Sequence, residues 1–298
     1  MSARGTRVFV TGATGFIGTH LVRRLHAEGA AISILVRPGS SPTALDDLLP
    51  SLQLIEGDLT DRAAIEGAVR AARPERVFHL GAFTNVSRDP QVAEEAMRVN
   101  LHGTMQLLQA LEGGDLKCFV ASGSCEEYGA APAPFHEALA PAPVSPYSVS
   151  KAAATLWCLM RHRTAGLPVV VVRPFLVYGP GQDTSRLLPS AIVAALAGQD
   201  FPMTGGEQTR EFTYVDDIVE GYLRAAAVPE AIGEIFNLGT GIEVPVRDVV
   251  EKIYALSGSS GRPLPGALPY RPAEIWRFAA VTDKARRILG WQHRTDLD

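Results

Sequence analysis

A doubly wound parallel α/β sheet (Rossmann-like), carrying a smaller, loop-rich α/β lobe, is the fold that this sequence of 298 residues predicts. Three observations predict it. Short apolar runs alternate with stretches of helical spacing up to Arg173, a glycine triplet sits at the first strand-to-helix turn, and beyond Pro174 prolines and glycines become frequent. Strands buried on both faces read as near-continuous apolar runs, whereas half-buried ones alternate with polar residues.

The elements follow in order. Arg7–Val10, Ala31–Val36, Leu52–Ile55, Arg76–Leu80, Lys117–Ser122 and Val169–Arg173 read as buried strands. Between them, Thr19–Glu28, Arg62–Ala72, Gln91–Leu111 and Ser148–Ala165 carry helical spacing. Alternation of this kind calls for crossovers that place helices on both faces of a parallel sheet. After Pro174, Leu188–Leu196 and Val246–Leu256 are helical pieces set among irregular segments. Residues 1–173 and about 211–240 are expected to form the sheet domain, and about 174–210 with 241–298 the smaller lobe.

Composition narrows the partners. The chain is 46% hydrophobic and 20% charged, as a packed core requires, and its formal net charge of −4 leaves no basic stripe for a nucleic acid. Cys118, Cys125 and Cys158 are odd in number and too far apart for a Cys-x-x-Cys pair. Neither a disulfide frame nor a metal site is expected, and a reduced, cytoplasmic setting fits. No window reaches ~18 uninterrupted apolar residues and the start has no signal-peptide pattern, so no membrane partner is expected.

The glycine triplet is the first chemical signal. In Thr11-Gly12-Ala13-Thr14-Gly15-Phe16-Ile17-Gly18 it follows a strand and opens a helix, which allows a tight turn, a close approach of pyrophosphate to backbone N–H groups, and close helix–strand packing. After the second strand, where an acid would bind the ribose hydroxyl of NAD, the chain has Arg37, a partner for the 2′-phosphate of NADP. NADP(H) is therefore expected over NAD(H). Asp58 and Leu59 are positioned for the adenine edge, and Gly81 lets the backbone approach the cofactor. The cofactor residues expected are Gly12, Thr14, Gly15, Phe16, Ile17, Gly18, Arg37, Asp58, Leu59, Leu80, Gly81, Ala82, Tyr147, Lys151 and Pro174.

Tyr147 and Lys151, four residues apart on a helix, share a face, so an ammonium can bring a phenol into range as an acid or base. They follow the segment Ser122-Gly123-Ser124-Cys125-Glu126-Glu127-Tyr128-Gly129. Candidate catalytic residues are Ser124, Tyr147, Lys151, Cys125 and Glu126, while Ser122, Glu127 and Tyr128 read as ending the strand and shaping the turn. His79 and Cys118 read as core, and His136 as a loop residue that could reach a substrate.

The whole chain resembles the extended short-chain dehydrogenase/reductase family that modifies nucleotide sugars. The likeness runs through TGATGFIG (11 to 18), GDL (57 to 59), HLGA (79 to 82), Asn100 before LHGT, SGSCEEYG, PYSVSK (146 to 151), RPFLVYGPGQ (173 to 182), GGEQTREFTYVDD (205 to 217), NLGTG (237 to 241) and RPAEIWRF (271 to 278). It implies that Ser124 holds the substrate oxygen, Tyr147 is the acid/base, and Lys151 binds the nicotinamide ribose and lowers the tyrosine pKa. It implies further that Thr84, Ser124, Arg210 and Arg271 meet the substrate, the two arginines at its nucleotide diphosphate. Relatives carry Asn where this chain has Leu176, and usually continue past GWQHRTDLD into a last helix. They also pair the helices around residues 91–111 and 148–165 across a two-fold axis, so a homodimer is expected.

Three reactions of a nucleotide-linked hexose fit the resemblance. A 4-ketoreductase needs Ser124, Tyr147, Lys151 and NADPH, and Arg37 with the PFHEAL segment (134 to 139) leans toward it. A 4,6-dehydratase, or one that makes an exocyclic alkene, would use Glu126 as base and Cys125 as the acid. An epimerase would keep bound NAD and the missing acid after the second strand. Retention of Ser124, Tyr147 and Lys151 argues against a non-catalytic cofactor sensor.

Overall fold

The computed structural model describes residues 4–271 and 274–297. Seven strands form one sheet: β1 (Arg7–Thr11), β2 (Ala31–Val36), β3 (Gln53–Glu56), β4 (Arg76–His79), β5 (Cys118–Ser122), β6 (Val169–Pro174) and β7 (Ile235–Leu238). Their order is β7-β6-β5-β4-β1-β2-β3 and every pairing is parallel, with Val10 of β1 beside Ile34 of β2 and Phe78 of β4. Strand order reverses between β1 and β4, and ligands of open α/β sheets lie in the crevice beyond the strand C-termini at such a point.

Both faces of the central strands are covered, as the apolar runs demand, but the edge strand β3, expected over Leu52–Ile55 to be buried, leaves Gln53, Leu54 and Glu56 exposed because no strand lies beyond it. Side chains alternate along each strand, so Val8 and Val10 face one layer and Phe9 the other. The first layer is α1 (Phe16–Ala27) with a helix at Val215–Ala227. The second is α2 (Arg62–Ala72), α3 (93–111) and α4 (Pro146–Ala165). Helix α3 is continuous but uneven, running through Ala93–Ala96, a π-helical stretch at Met97–His102 and Gly103–Leu111.

Sequence reading of α3 as one regular helix over Gln91–Leu111 therefore needs correction. A 3₁₀ turn at Pro90–Val92, with the Asp89 side chain accepting from Gln91 N–H (2.9 Å), precedes the helix. The π turn widens it at a place that matters for the site, a common use of such bulges. Asn100 lies in that turn, buried, where it accepts from Phe83 N–H (2.7 Å) and donates to Phe83 C=O (3.0 Å) and Ser150 Oγ (2.9 Å). One amide thus ties the segment after β4 to α4.

Two further elements were not foreseen. The strand β7 extends the sheet beside β6, and the Val215–Ala227 helix covers it with Ile218, Val219, Tyr222 and Ala225 buried. In the smaller lobe, α5 (Leu187–Leu196) packs on the helix at Val246–Ser257 around Ala191, Ala195, Met203, Val250 and Tyr254. Taking Val215–Ala227 as α6 and Val246–Ser257 as α7 keeps the helices in chain order.

Candidate active site

The cofactor crevice is shaped by absent side chains. Gly12 has φ of +71°, and a Cβ there would sit 2.5 Å from Gly81 N, so the β1–α1 and post-β4 loops touch backbone to backbone. A Cβ at Gly18 would be driven into the Gly12 carbonyl oxygen. Gly15, exposed, is the N-cap of α1, with no side-chain cap and no acid in the first turn. An uncapped helix start of this kind offers its N–H groups and positive dipole end to an anion. These residues fit a dinucleotide pyrophosphate. Thr14, Phe16 and Ile17 lie on the same turn, half-buried, as do Leu59, Leu80, Gly81 and Ala82 across the crevice and Pro174 at the end of β6.

A buried relay keeps that crevice in shape. Thr11 Oγ1 accepts from Gly81 N–H (3.1 Å) and lies 2.7 Å from His79 Nδ1, while His79 Nε2 is 2.9 Å from Thr104 Oγ1, which donates to Asn100 C=O (2.6 Å). Thr104 gives its proton to Asn100, so the consistent tautomer of His79 carries its proton on Nε2 and accepts from Thr11. Burial, helped by Lys151, lowers the His79 pKa to about 3, so it is neutral core, as its apolar strand suggests. At the crevice rim, Arg37 is exposed at the end of β2. Asp58 is half-buried; burial alone would raise it, but hydrogen bonds from Thr60 N–H and Oγ1 with the charges of Arg98 and Arg37 hold it below its ordinary value.

Ser124, Tyr147 and Lys151 come together where β5 ends. Ser145 caps α4 and accepts from Ser148 N–H (3.1 Å), Pro146 fixes its first turn, and Tyr147 and Lys151 then face the sheet one turn apart. Lys151, buried, donates through Nζ to the Ser122 carbonyl. Burial pulls its ammonium below the ordinary value, with Glu127 acting the other way. Burial pushes the Tyr147 phenol up, against hydrogen bonding from Ser124. Ser124 Oγ accepts from Glu126 N–H (3.2 Å), which leaves its hydroxyl hydrogen for a phenol or a substrate oxygen.

The other expected site residues divide. Glu126, Arg210 and Arg271 line a cleft next to Ser145, together with Arg88, Glu274 and Phe278. Burial raises the Glu126 carboxyl, with Arg210, Arg88 and Arg271 opposing and Glu274 adding to the rise. Arg210 is tethered: it donates to Glu274 Oε1 (2.7 Å) and to the Ile275 carbonyl (2.8 Å). Thr84, exposed, is not among the residues that line this cleft, nor is Cys125. Cys125 turns into an aromatic cluster of Tyr128, Phe135, Phe175 and Phe278, where the Tyr128 and Phe135 rings stack at 4.9 Å. Burial, then Glu126, pushes its thiol well above the ordinary value. Leu176 stands half-buried against the same cluster, and His136 is exposed.

Two contributors escaped the sequence. Arg88, from Asn85-Val86-Ser87-Arg88, brings a buried Nη1 without a partner to the cleft. Glu127, read as a turn former, lies fully buried in an ion pair with Arg173 (2.7 Å). Only the clustering of basic residues in separate motifs could have signalled the first, and only long-range proximity the second.

An uncapped glycine turn at a parallel sheet's switch point, beside a Ser-Tyr-Lys constellation, suits a dinucleotide-dependent oxidoreductase. The family model for the NAD dependent epimerase/dehydratase family matches residues 8–239, and the chain belongs to that family. It is 32% identical to the UDP-glucose 4-epimerase of Mycolicibacterium smegmatis over 98% of this chain and 95% of that protein. It is 33% identical to the GDP-6-deoxy-D-mannose reductase of Pseudomonas aeruginosa over 96% of this chain and 91% of the relative. Among solved structures, a double mutant of DesIV, a dTDP-glucose 4,6-dehydratase from Streptomyces venezuelae solved with NAD bound, superposes with a TM-score of 0.87 at 28% identity, covering 98% of this chain and 93% of that one. Three different reactions are represented at similar distance.

Proposed function

We propose that this enzyme reduces the keto group of a nucleotide-linked 4-keto-6-deoxyhexose with NADPH. The supporting observation is the place of Cys125. A dehydratase of this group needs an acid facing the departing hydroxyl, but this thiol is packed among aromatic rings and is not among the residues that line the Glu126 cleft. Tyr147 remains as the proton donor, and burial keeps its phenol protonated, the form that a reduction consumes. The similarity to a 6-deoxyhexose reductase agrees.

The residues then take these roles. NADPH, when bound, supplies the hydride. The glycine turn and the start of α1 hold its pyrophosphate, and Arg37, a cation where NAD-users carry an acid, meets the 2′-phosphate. Ser124 donates its hydroxyl hydrogen to the sugar carbonyl oxygen, Tyr147 passes its proton to that oxygen as charge develops, and the Lys151 ammonium steadies the phenolate left behind. Arg88, Arg210 and Arg271 face the diphosphate from one cleft. One observation favours a second reaction: Glu126 lines the same cleft with a raised pKa, which suits a base for dehydration. A homodimer through α3 and α4 is part of the proposal, with Val149 and Leu156 of α4 exposed at 43% and 58%; sedimentation at micromolar concentration tests it. Among the described residues no helix is long and apolar enough to cross a membrane, and the three cysteines are unpaired and buried, in keeping with a cytoplasmic setting.

The test is a panel of nucleotide-linked 4-keto-6-deoxyhexoses with NADPH or NADH, and of parent nucleotide hexoses without reductant. The proposal expects oxidation of NADPH in preference to NADH with the keto sugars. Loss of water from the parent hexoses with no net change of cofactor would replace it with dehydration.

A further inference from the structure

Glu127 is the acid of the SGSCEEYG segment that the chemistry above leaves unused, and it is the most deeply buried of them. A carboxylate closed off from water is tolerated only with a full set of partners. Its Oε2 accepts from Arg173 Nε (3.0 Å) and Nη2 (2.7 Å), and the Arg173 guanidinium lies 4.5 Å from the centroid of the Tyr128 ring. Its Oε1 accepts from Ser124 N–H (2.8 Å) and from the Thr155 hydroxyl (3.1 Å).

Those partners come from three elements. Ser124 stands just beyond β5, Thr155 lies on α4 four residues after Lys151, and Arg173 belongs to β6. The fit around the carboxylate is close: a Cβ on Gly123 would come within 2.6 Å of Glu127 Oε1. The Tyr128 hydroxyl donates to Asn237 Oδ1 (2.7 Å) of β7, so the same turn is pinned from behind. A single charged group therefore sets the distance between the main chain that carries the Ser124 hydroxyl and the helix that carries the phenol and the ammonium.

We propose that Glu127, held by Arg173, is a positioning residue that fixes Ser124 against the Tyr147–Lys151 helix. The proposal rests on the reading that Ser124 and Tyr147 handle the substrate oxygen. Were the pair merely a structural ion pair, apolar replacements of similar volume would be tolerated without loss of turnover, as buried ion pairs often allow. As a positioning device it acts through Ser124, so its removal misplaces the hydroxyl and lowers kcat, whereas ground-state contacts of the nucleotide in the Arg88–Arg210–Arg271 cleft are untouched.

The experiment is a double-mutant cycle between the pair variant E127L/R173M and Ser124→Ala, followed by steady-state kinetics with NADPH and the keto sugar accepted in the panel above. The expected result is a fall in kcat of about 10- to 100-fold for the pair variant, with KM for the sugar within about threefold. In the Ser124→Ala background the same change costs no more than about twofold, because the residue it serves is already gone. A folded pair variant with wild-type kcat, or a loss that adds in full to that of Ser124→Ala, overturns the proposal. If the pair variant does not fold, Thr155→Val decides by the same cycle: removal of the α4 hydroxyl lowers kcat about three- to tenfold in the Ser124 background and not in the alanine one. If Ser124→Ala itself keeps full activity, the reading of Ser124 fails and this proposal with it; if that variant loses activity and the Glu127 and Thr155 variants keep theirs, only this proposal falls.

Discussion

The glycine-lined crevice and the arginine-lined cleft of this enzyme are built by opposite means. The crevice is made of backbone: glycines at 12, 15 and 18, an uncapped helix start, and a loop after β4 that closes on Gly12 because neither side carries a Cβ. The cleft is made of long side chains from separate segments, with Arg88, Glu126, Arg210 and Arg271 converging from four parts of the chain. Backbone geometry leaves little room for variation, which suits a cofactor shared by a whole family. Side chains on loops can be exchanged singly, and the relatives of this chain accordingly include an epimerase, a reductase and a dehydratase at similar identity.

That contrast can be broken at measurable points. The largest effect falls on the chemical step where the two regions meet: Tyr147→Phe lowers kcat by about 10²- to 10⁴-fold, the range of a lost proton donor, while fluorescence titration shows NADPH binding close to wild type. Loss of cofactor binding together with activity would mean that the phenol is a structural part of the crevice. Next in size, Gly18→Ala forces a methyl group against the Gly12 carbonyl and costs about 3 kcal/mol, read as a lower thermal midpoint and weakened cofactor binding. A stable, cofactor-saturable alanine variant would show that the crevice is less rigid than a backbone-on-backbone contact implies.

The smallest effect is graded with pH. Folded His79 titrates at about 3 against an unfolded value near ~6.5, so the unfolded chain binds more protons between those limits. Stability from this group is complete above about pH 6.5 and falls as pH drops toward 3, by up to about 1.4 kcal/mol per pH unit, with no further loss below. Urea unfolding of wild type and His79→Gln across that window should give a shallower slope for the variant. Equal slopes would place the proton uptake elsewhere.

The same contrast explains what could be read from the sequence. The first six strands were evident because each is a short, largely apolar run between helical stretches, and the glycine turn because it is local. The strand β7 is four residues long and follows a region rich in proline and glycine, so no run announced it. Helix α6 was readable in principle, since Val215, Ile218, Val219, Tyr222 and Ala226 recur at helical spacing; the change of texture after Pro174 masked it. Within the site, Ser124, Tyr147 and Lys151 stood in recognisable motifs. Cys125 read as a candidate acid and Glu127 as a turn former, and neither environment was visible in the sequence, because it is set by the company each keeps: an aromatic cluster for the thiol, and Arg173, 46 positions away, for the carboxylate. Arg88 had no motif, and its relevance comes from Arg210 and Arg271 arriving beside it.

The most direct measurement follows a label. With NADPH carrying deuterium at the transferred position and a nucleotide-linked 4-keto-6-deoxyhexose, reduction places one deuterium on the former carbonyl carbon for each NADP formed, and mass spectrometry of the sugar detects it. The account predicts that one-to-one transfer, in wild type and equally in Glu126→Gln, whose carboxylate reduction does not need. Unlabelled sugar with no NADP formed, or a parent hexose dehydrated by wild type but not by Glu126→Gln, would contradict it.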